Sequence, residues 1–258
     1  MDPVITVVTA VRNGMPFVAK TIESVLAQSY RGIEYIVIDG GSSDGTLDVV
    51  RKNESRIAKW LSEPDRGIAE AFNKGLRFAT GDYVMFLNSD DWLADPDAMA
   101  RMMAAAGENG WPQVIYGDCD LYDRDAGRFL YRASIPYDRG ALLRGKALPH
   151  PGMLTRREYF ARFGTFDESF RIAMDFEMFL RGIPETGAVH MPTLITNVRS
   201  GGLSTLDRPF VLEEIIRALR KNGYLRSGFA ELRLRGYYFA RSLARRALTA
   251  LGVRRPSS

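Results

Sequence analysis

The chain has 258 residues, 46% hydrophobic and 26% charged, which fits a globular chain able to bury a core and excludes a disordered segment, a collagen or a coiled-coil rod. One cysteine, Cys119, forms no internal disulfide or cysteine-built zinc site, and two histidines, His150 and His190, exclude a His-rich metal centre. The net charge of +4 hides an asymmetry: residues 1–211 hold 24 Lys+Arg against 28 Asp+Glu, residues 212–258 hold 11 against 3, and a basic tail on an acidic body predicts an anionic partner.

Met1-Asp2-Pro3 leads straight into an apolar run, Val4 to Val8, without the basic segment and longer apolar stretch of a signal peptide. A continuous apolar run of this length predicts a strand buried on both faces. Asn13-Gly14 turns the chain, and Pro16 suits a first helical turn. Phe17, Ile22, Val25 and Leu26 then share a helical face. Tyr35 to Ile38 is a second buried strand, ending in the turn-rich Asp39-Gly40-Gly41-Ser42-Ser43-Asp44-Gly45. The pattern continues with a helix over 46–52, a strand over 59–62, a helix over 67–79 closed by Gly81, and a strand over 83–87. That strand runs into Asn88-Ser89-Asp90-Asp91, and Asp95-Pro96 opens the next helix. Repeated strand–loop–helix units predict an α/β fold with a doubly wound, mainly parallel sheet, whose ligands bind beyond the carboxyl ends of the strands. Asp39 and Asp90-Asp91 stand at such ends.

The second half is less regular. Val114-Ile115-Tyr116 reads as a strand, and Cys119 to Ser134 as a hairpin turning at Asp125-Ala126-Gly127. Thr155-Arg156-Arg157-Glu158 has the form of a capping box. Residues 173–182 read as helix, 188–198 as strand, and 206–221 and 228–251 as two closing helices. The composition shifts near Gly201-Gly202, which predicts a division into 1–205 and a basic helical extension, 206–258.

Two adjacent carboxylates on a tight loop repel unless solvated, hydrogen-bonded or bridged by a cation. Oxygen ligands favour Mg²⁺ or Mn²⁺, held with substrate phosphates; a solvated turn is the plainer alternative. Asp39 beside a glycine pair suits a ribose hydroxyl or a base N–H, or simply an ordinary turn. Asp175, among the apolar residues of Ala173 to Leu180, is a candidate general base or a helix-start aspartate. Neither a G-x-G-x-x-G after the first strand nor a P-loop is present.

Together these segments resemble the family 2 glycosyltransferases of the GT-A (Rossmann-like) fold, over roughly residues 3–200. The resemblance is carried by Ile5-Thr6-Val7-Val8-Thr9 with Asn13, Val37 to Thr46, Ser62-Glu63-Pro64-Asp65-Arg66-Gly67-Ile68, Asn73-Lys74-Gly75, Ala79-Thr80-Gly81-Asp82, Leu87 to Asp91, Gly164 to Glu168, and Asp175-Phe176-Glu177 with Arg181. It implies an inverting transfer from a nucleotide-diphosphate sugar to a saccharide or lipid-linked acceptor in polysaccharide biosynthesis. It divides the catalytic part into a nucleotide-sugar half, 1–117, and an acceptor half, 118–205. It places Thr9 and Asp39 at the nucleoside with Asp65 near the base, adds Asn73, Ser89 and Asp90 to the donor site, and makes Asp90 and Asp91 the metal loop. Asn88 stands where the D-x-D motif has its first acid. Asp175 matches the catalytic base, with Met174 in place of the usual Glu before it. His150, Trp92 and Glu177 are expected at the acceptor or phosphate.

Two other readings differ in class: a nucleotidyltransferase, which lacks its Gly-rich basic loop here, and a non-catalytic sugar-nucleotide-binding subunit. His190, Cys119, Trp60 and Trp111 read as structural or core. In the last helix, Phe229, Leu232, Phe239, Ala240, Leu243, Ala247 and Leu251 share one side, largely opposite Arg235, Arg241, Arg245 and Arg246, with Arg254 and Arg255 beyond. Such a helix can lie on an anionic membrane, pack on the domain, or form a homo-oligomer contact. No motif predicts nucleic-acid binding. With no apolar run of about 18 residues, the expectation is a cytoplasmic protein, peripheral on the inner face of the cell membrane.

Overall fold

The computed structural model describes residues 2–201 and 208–250, and the side chains among them except those of Arg208 and residues 241–250. Strand β1 (Ile5–Val11) is buried along its whole length, as a strand covered on both faces must be. It pairs in parallel with β2 (Ile33–Asp39) and β4 (Tyr83–Phe86), and β2 carries β3 (Lys59–Ser62) on its other side. The register aligns Val11, Asp39 and Ser62, so three strands end at one edge. Helices α1 (Val18–Leu26), α2 (Thr46–Lys52) and α3 (Ile68–Phe78) make the crossovers.

The sheet runs on through β8 (Met153–Arg156), β6 (Val114–Tyr122), β9 (Val189–Arg199) and β5 (Trp92–Leu93), with β7 (Phe129–Ala133) hydrogen-bonded to β6 alone. β6 and β9 are parallel; β8, β7 and β5 are antiparallel insertions. The remaining helices are α4 (Ala98–Glu108), α5 (Arg139–Leu142), α6 (Arg157–Phe163), α7 (Met174–Thr186), α8 (Arg208–Lys221) and α9 (Gly228–Ala250). Alternation along β1 feeds two core layers. Ile5, Val7 and Val11 pack with α1 and α4 through Ile22, Val25, Met99 and Met102. Val8 and Ala10 pack with Phe72, Phe86, Phe179 and the α8 residues Ile215, Ile216 and Leu219. The doubly wound α/β architecture is therefore present.

Local readings differ in four places. Thr155 forms no capping box: it lies buried in β8, opposite Val84 and Val114, and the helix starts after Arg156. Gly81 does not cap α3; a Cβ there would sit 2.7 Å from the Val4 carbonyl oxygen and 2.8 Å from the Thr6 nitrogen, so its role is to let β1 pass. Pro16 follows a cis peptide, and α1 begins at Val18. Trp111 is not core: it is exposed at 39%, with a φ of 58°. The hairpin does turn where expected, with the Gly127 N–H donating to the Asp123 carbonyl. The proposed division at 205/206 and the helix start at Leu206 lie outside the described residues.

Helix α8 is tied to α7 by two buried acids. Glu177 has a fully buried side chain; Arg181 (3.0 Å) and Lys221 (2.8 Å) pair with it, and the Asn222 amide donates to it at 3.3 Å. Glu214, 4% exposed, accepts from the backbone N–H groups of Arg171, Ile172 and Ala173 at 2.7, 2.8 and 2.8 Å. These are the three amides just before α7, ending at its N-cap Ala173, so Glu214 holds the turn that leads into the helix, where negative charge is also favoured by the helix dipole. Glu214→Ala is expected to lower the unfolding free energy by about 2–4 kcal/mol in urea titration. A loss below about 1 kcal/mol would mean that the three amides find other partners.

Candidate active site

The carboxyl edge of β1–β4 carries the candidate site. Two loops there are sewn together: the Asn13 side chain accepts from the Ser43 N–H, the Asn13 N–H donates to Ser42 Oγ, and the Met15 N–H donates to Asp44. Asn13 has a φ of 51°, a conformation Asn tolerates better than most residues. Asp39, 1% exposed, organises the second loop. Its Oδ2 accepts from the Gly41 and Ser42 N–H groups at 3.1 and 3.0 Å and from Ser62 Oγ at 2.6 Å, and Ser42 Oγ donates to Oδ1. Asp65 closes over this loop. A Cβ on Gly40 would lie 2.3 Å from Asp65 Oδ2, so only glycine allows the approach, and the Gly67 N–H donates to Oδ1 at 3.0 Å.

The loop after β4 separates its two acids. Asp91 turns inward, 1% exposed, accepting from Asn88 Nδ2 (2.9 Å) and the Arg199 N–H (3.1 Å). Burial pushes its carboxyl up to about 7, and the charge of Asp90 adds to this. Asp90 stays accessible and pairs with Arg124. Asp91 is expected as a metal ligand beside Asp90; in the structure its carboxyl is buried, and each oxygen accepts one hydrogen bond that braces the loop. Ser89 lies by the first loop, its Cβ 3.6 Å from where a Gly14 Cβ would be.

Asp175 sits in the first turn of α7, half-buried, its Oδ1 accepting from the Phe176 N–H. Its Oδ2 is 3.7 Å from His150 Nδ1, beyond hydrogen-bond range. His150 stands in a cage of Phe72, Phe86, Phe166 and Phe179, with ring centroids 5.5–6.1 Å away. Burial holds its imidazole below the ordinary value against the pull of Asp175, so it is neutral at pH 7. Its Nε2 is buried without a hydrogen-bond partner. Because Phe86 ends β4, His150 links the Asp90 loop to α7.

Of the four other expected residues, Thr9 and Glu177 are buried inside the fold, whereas Asn73 and Trp92 each line a surface pocket. Thr9 is fully buried and accepts from the Tyr35 hydroxyl at 3.1 Å. Asn73 fastens the 166–168 segment, donating to the Phe166 carbonyl and Glu168 and accepting from the Phe166 N–H. Glu177 is the buried α7–α8 link, with no surface to offer a ligand. Trp92 lies on the α1 side, 5.2 Å from Tyr122 and under Lys20. His190 is structural, 2.8 Å from Asp118. Surface pockets of about 470 and 530 Å³ are lined by other residues than Asp39, Asp90 or Asp175. Glu214, which sets the start of α7, carried no sequence signal, because its partners are backbone amides some forty residues away.

Among the described residues no three His, Cys, Asp or Glu side chains cluster as a metal site. In the loop after β4 the accessible carboxylate is Asp90. That fits Mg²⁺ or Mn²⁺ shared with a diphosphate and does not fit an all-protein cage. No helix among the described residues is long and apolar enough to cross a membrane.

The family model described as glycosyl transferase family 2 matches residues 6–172. An uncharacterized glycosyltransferase of Mycobacterium tuberculosis is 37% identical over 181 residues, 69% of this chain and 68% of that protein. A PGL/p-HBAD biosynthesis glycosyltransferase of Mycobacterium bovis is 26% identical over 217 residues, 81% of this chain and 83% of that one. Among solved structures, S. aureus TarS 1-349 in complex with UDP-GlcNAc has a TM-score of 0.67 at 16% identity, over 83% of this chain and 66% of that chain. The mannosyltransferase PcManGT from Pyrobaculum calidifontis, in complex with GDP-Man and Mn²⁺, has a TM-score of 0.63 at 20% identity, over 98% and 80%. These likenesses show the GT-A fold. With most of its length inside the family model and its acids on the carboxyl edge of the sheet, the chain belongs to glycosyl transferase family 2.

Proposed function

We propose that the chain moves a sugar from a nucleotide-diphosphate sugar to a hydroxyl of a saccharide or lipid-linked acceptor, by direct displacement with inversion. The observation that carries this reading is the placement of Asp175. Glu214 fixes the start of its helix, and neutral His150 stands between it and the Asp90 loop. The ligands of the two neighbouring structures, UDP-GlcNAc and GDP-Man, support the donor class.

The nucleoside is received over Gly40 and Gly41, against Asp65, with Asp39 shaping that loop and keeping one acceptor position at Oδ1. The diphosphate lies toward Ser89, Asp90 and Arg124. Asp90 would hold Mg²⁺ or Mn²⁺ there, which when bound offsets charge on the leaving nucleoside diphosphate. Arg124 brings positive charge to the same place. Asp175 Oδ2 takes the proton of the acceptor hydroxyl, and the freed oxygen attacks the anomeric carbon on the face opposite the diphosphate. His150 crowds Asp175 but is the more buried of the two, 11% exposed against 27%, which leaves Asp175 as the base open to an acceptor. No covalent enzyme intermediate enters, so no Ser or Cys nucleophile is required.

A second observation bears on the last helix. Leu234, Tyr238 and Arg235 face the body: the Tyr238 hydroxyl donates to the Gly145 carbonyl, and Arg235 pairs with Glu213 and Glu231. Phe229, Leu232 and Phe239 point outward at 66–70% exposure. The apolar side is therefore not the packed side, which favours docking on an anionic membrane surface. The side chains of Leu243, Ala247, Leu251, Arg241, Arg245, Arg246, Arg254 and Arg255 lie outside the described residues.

Three outcomes are expected. Asp175→Asn keeps donor affinity in calorimetry and lowers kcat by about 10²–10⁴-fold; near-normal kcat would remove Asp175 as the base. Asp90→Ala abolishes stimulation of donor hydrolysis by Mn²⁺ or Mg²⁺, whereas an unchanged metal titration would take Asp90 out of the site. The combined variant Phe229→Ser, Leu232→Ser, Phe239→Ser loses co-sedimentation with phosphatidylglycerol vesicles. Equal sedimentation of variant and parent would end the membrane reading, and a change in mass by light scattering instead would assign the face to self-association.

A further inference from the structure

On the α1 side of the Asp90 loop, away from His150 and Asp175, lies the pocket of about 530 Å³. Lys20, Trp92, Tyr122, Asn197, Arg199 and the hairpin residue Gly127 line it. The Lys20 ammonium stands 3.4 Å above the Trp92 ring. The Arg199 guanidinium lies 4.9 Å from the Trp92 centroid and 4.1 Å from that of Phe17. The aromatic faces hold these cations in place without satisfying their N–H donors, which number three on Lys and five on Arg.

The nearby acids are already engaged. Asp90 pairs with Arg124, and Asp120 pairs with Arg132. Asp91 accepts from the Arg199 backbone N–H inside the protein and makes no ion pair with its guanidinium. Among the described residues no carboxylate stands in ion-pair distance of Lys20 or Arg199. Arg199 Nε is buried without a partner, and the Lys20 ammonium is pushed below its ordinary value by burial and by the charge of Arg199. Two like charges held side by side with no carboxylate in contact favour an acceptor-only partner. The space exceeds a bare anion, and Tyr122 and the Asn197 amide supply an aromatic wall and a group for hydroxyls.

We propose that this pocket binds an anionic saccharide, its phosphate or carboxylate group seated between Lys20 and Arg199 and its ring against Tyr122 and Asn197. The site goes beyond the transfer reading and stands without it, because none of its residues is assigned to the donor or to the base.

The test uses the full chain and tryptophan fluorescence, which Trp92 reports directly. Glucose 6-phosphate, glucuronate, inorganic phosphate and neutral glucose are titrated in turn, with and without UDP. At least one anionic sugar is expected to saturate the signal at concentrations where glucose does not. Preference for glucose 6-phosphate assigns the group as phosphate, and preference for glucuronate as carboxylate. Lys20→Gln and Arg199→Gln are each expected to weaken that binding about tenfold or more while UDP affinity holds. Lys20 is on the surface, so its variant tests the site even where Arg199→Gln lowers the unfolding midpoint. Four results would each overturn the proposal: no anionic sugar saturating, glucose binding as well, Lys20→Gln binding like the parent, or UDP displacing the probe. The last would return these cations to the donor site. Loss of donor hydrolysis with anion binding intact would count against the transfer reading alone.

Discussion

The common ending of β1, β2 and β3 at Val11, Asp39 and Ser62 constrains everything built on that edge. Parallel strands that stop together leave their loops crowded and their next amides without ladder partners. Asp39 resolves this as a buried carboxylate that gathers two backbone amides and two hydroxyls. Hydrogen bonds to a charged group are worth about 1.5–3 kcal/mol each, so these four contacts hold the loop firmly against the strand end. The loop it holds is glycine for steric reasons: Asp65 occupies the space of a Gly40 side chain, and Gly41 has a φ of 81°. The backbone is left bare where a flat ring can approach.

The opposite wall depends on sequence far from the edge. Asp175 takes its place from where α7 begins, and that start is fixed by Glu214 on α8. Residues 173–221 lie beyond the segment matched by the family model, yet α8 fills the core with Ile216 and Leu219 and grips Glu177 through Lys221. Asp175, the proposed base, is thus held by the part of the chain that composition alone marks as a basic appendage. The positive charges of α8 that matter here, Lys221 and Arg217, are turned toward buried or half-buried acids rather than toward an external partner.

The N-terminal half was legible because each signal there is local. Apolar runs gave β1, β2 and β4, the turn residues after β2 gave the start of α2, and the order of units gave the winding. The second half was less so. Thr155 satisfied a capping pattern, but Thr is also a strand former, and pairing with β4 and β6 decided the matter. The site divides in the same way. Asp39, Asp65, Asp90 and Asp175 lie where strand ends and helix starts put them. Thr9, Asn73 and Glu177 are polar residues consumed by burial, and Tyr35, Phe166 and Lys221, their partners, are distant in sequence. No spacing rule distinguishes an acid aimed at a ligand from one aimed at a lysine on another helix.

The Asp90-Asp91 pair shows why Asn88 departs from an acidic motif. With Asp91 turned inward, its Oδ2 needs a donor, and the Asn88 amide supplies it at 2.9 Å. An aspartate at 88 would bring an acceptor to an acceptor and a second charge to a group whose ionisation burial already opposes. The inward acid also accepts from the Arg199 N–H, so it fastens the loop to the end of β9. The arrangement therefore trades a second outward carboxylate for a rigid loop. One acid, Asp90, is left facing the cleft, and Arg124 supplies positive charge beside it. On the proposed reading, a single outward carboxylate would leave a metal to lean on the oxygens of its substrate more than on the protein.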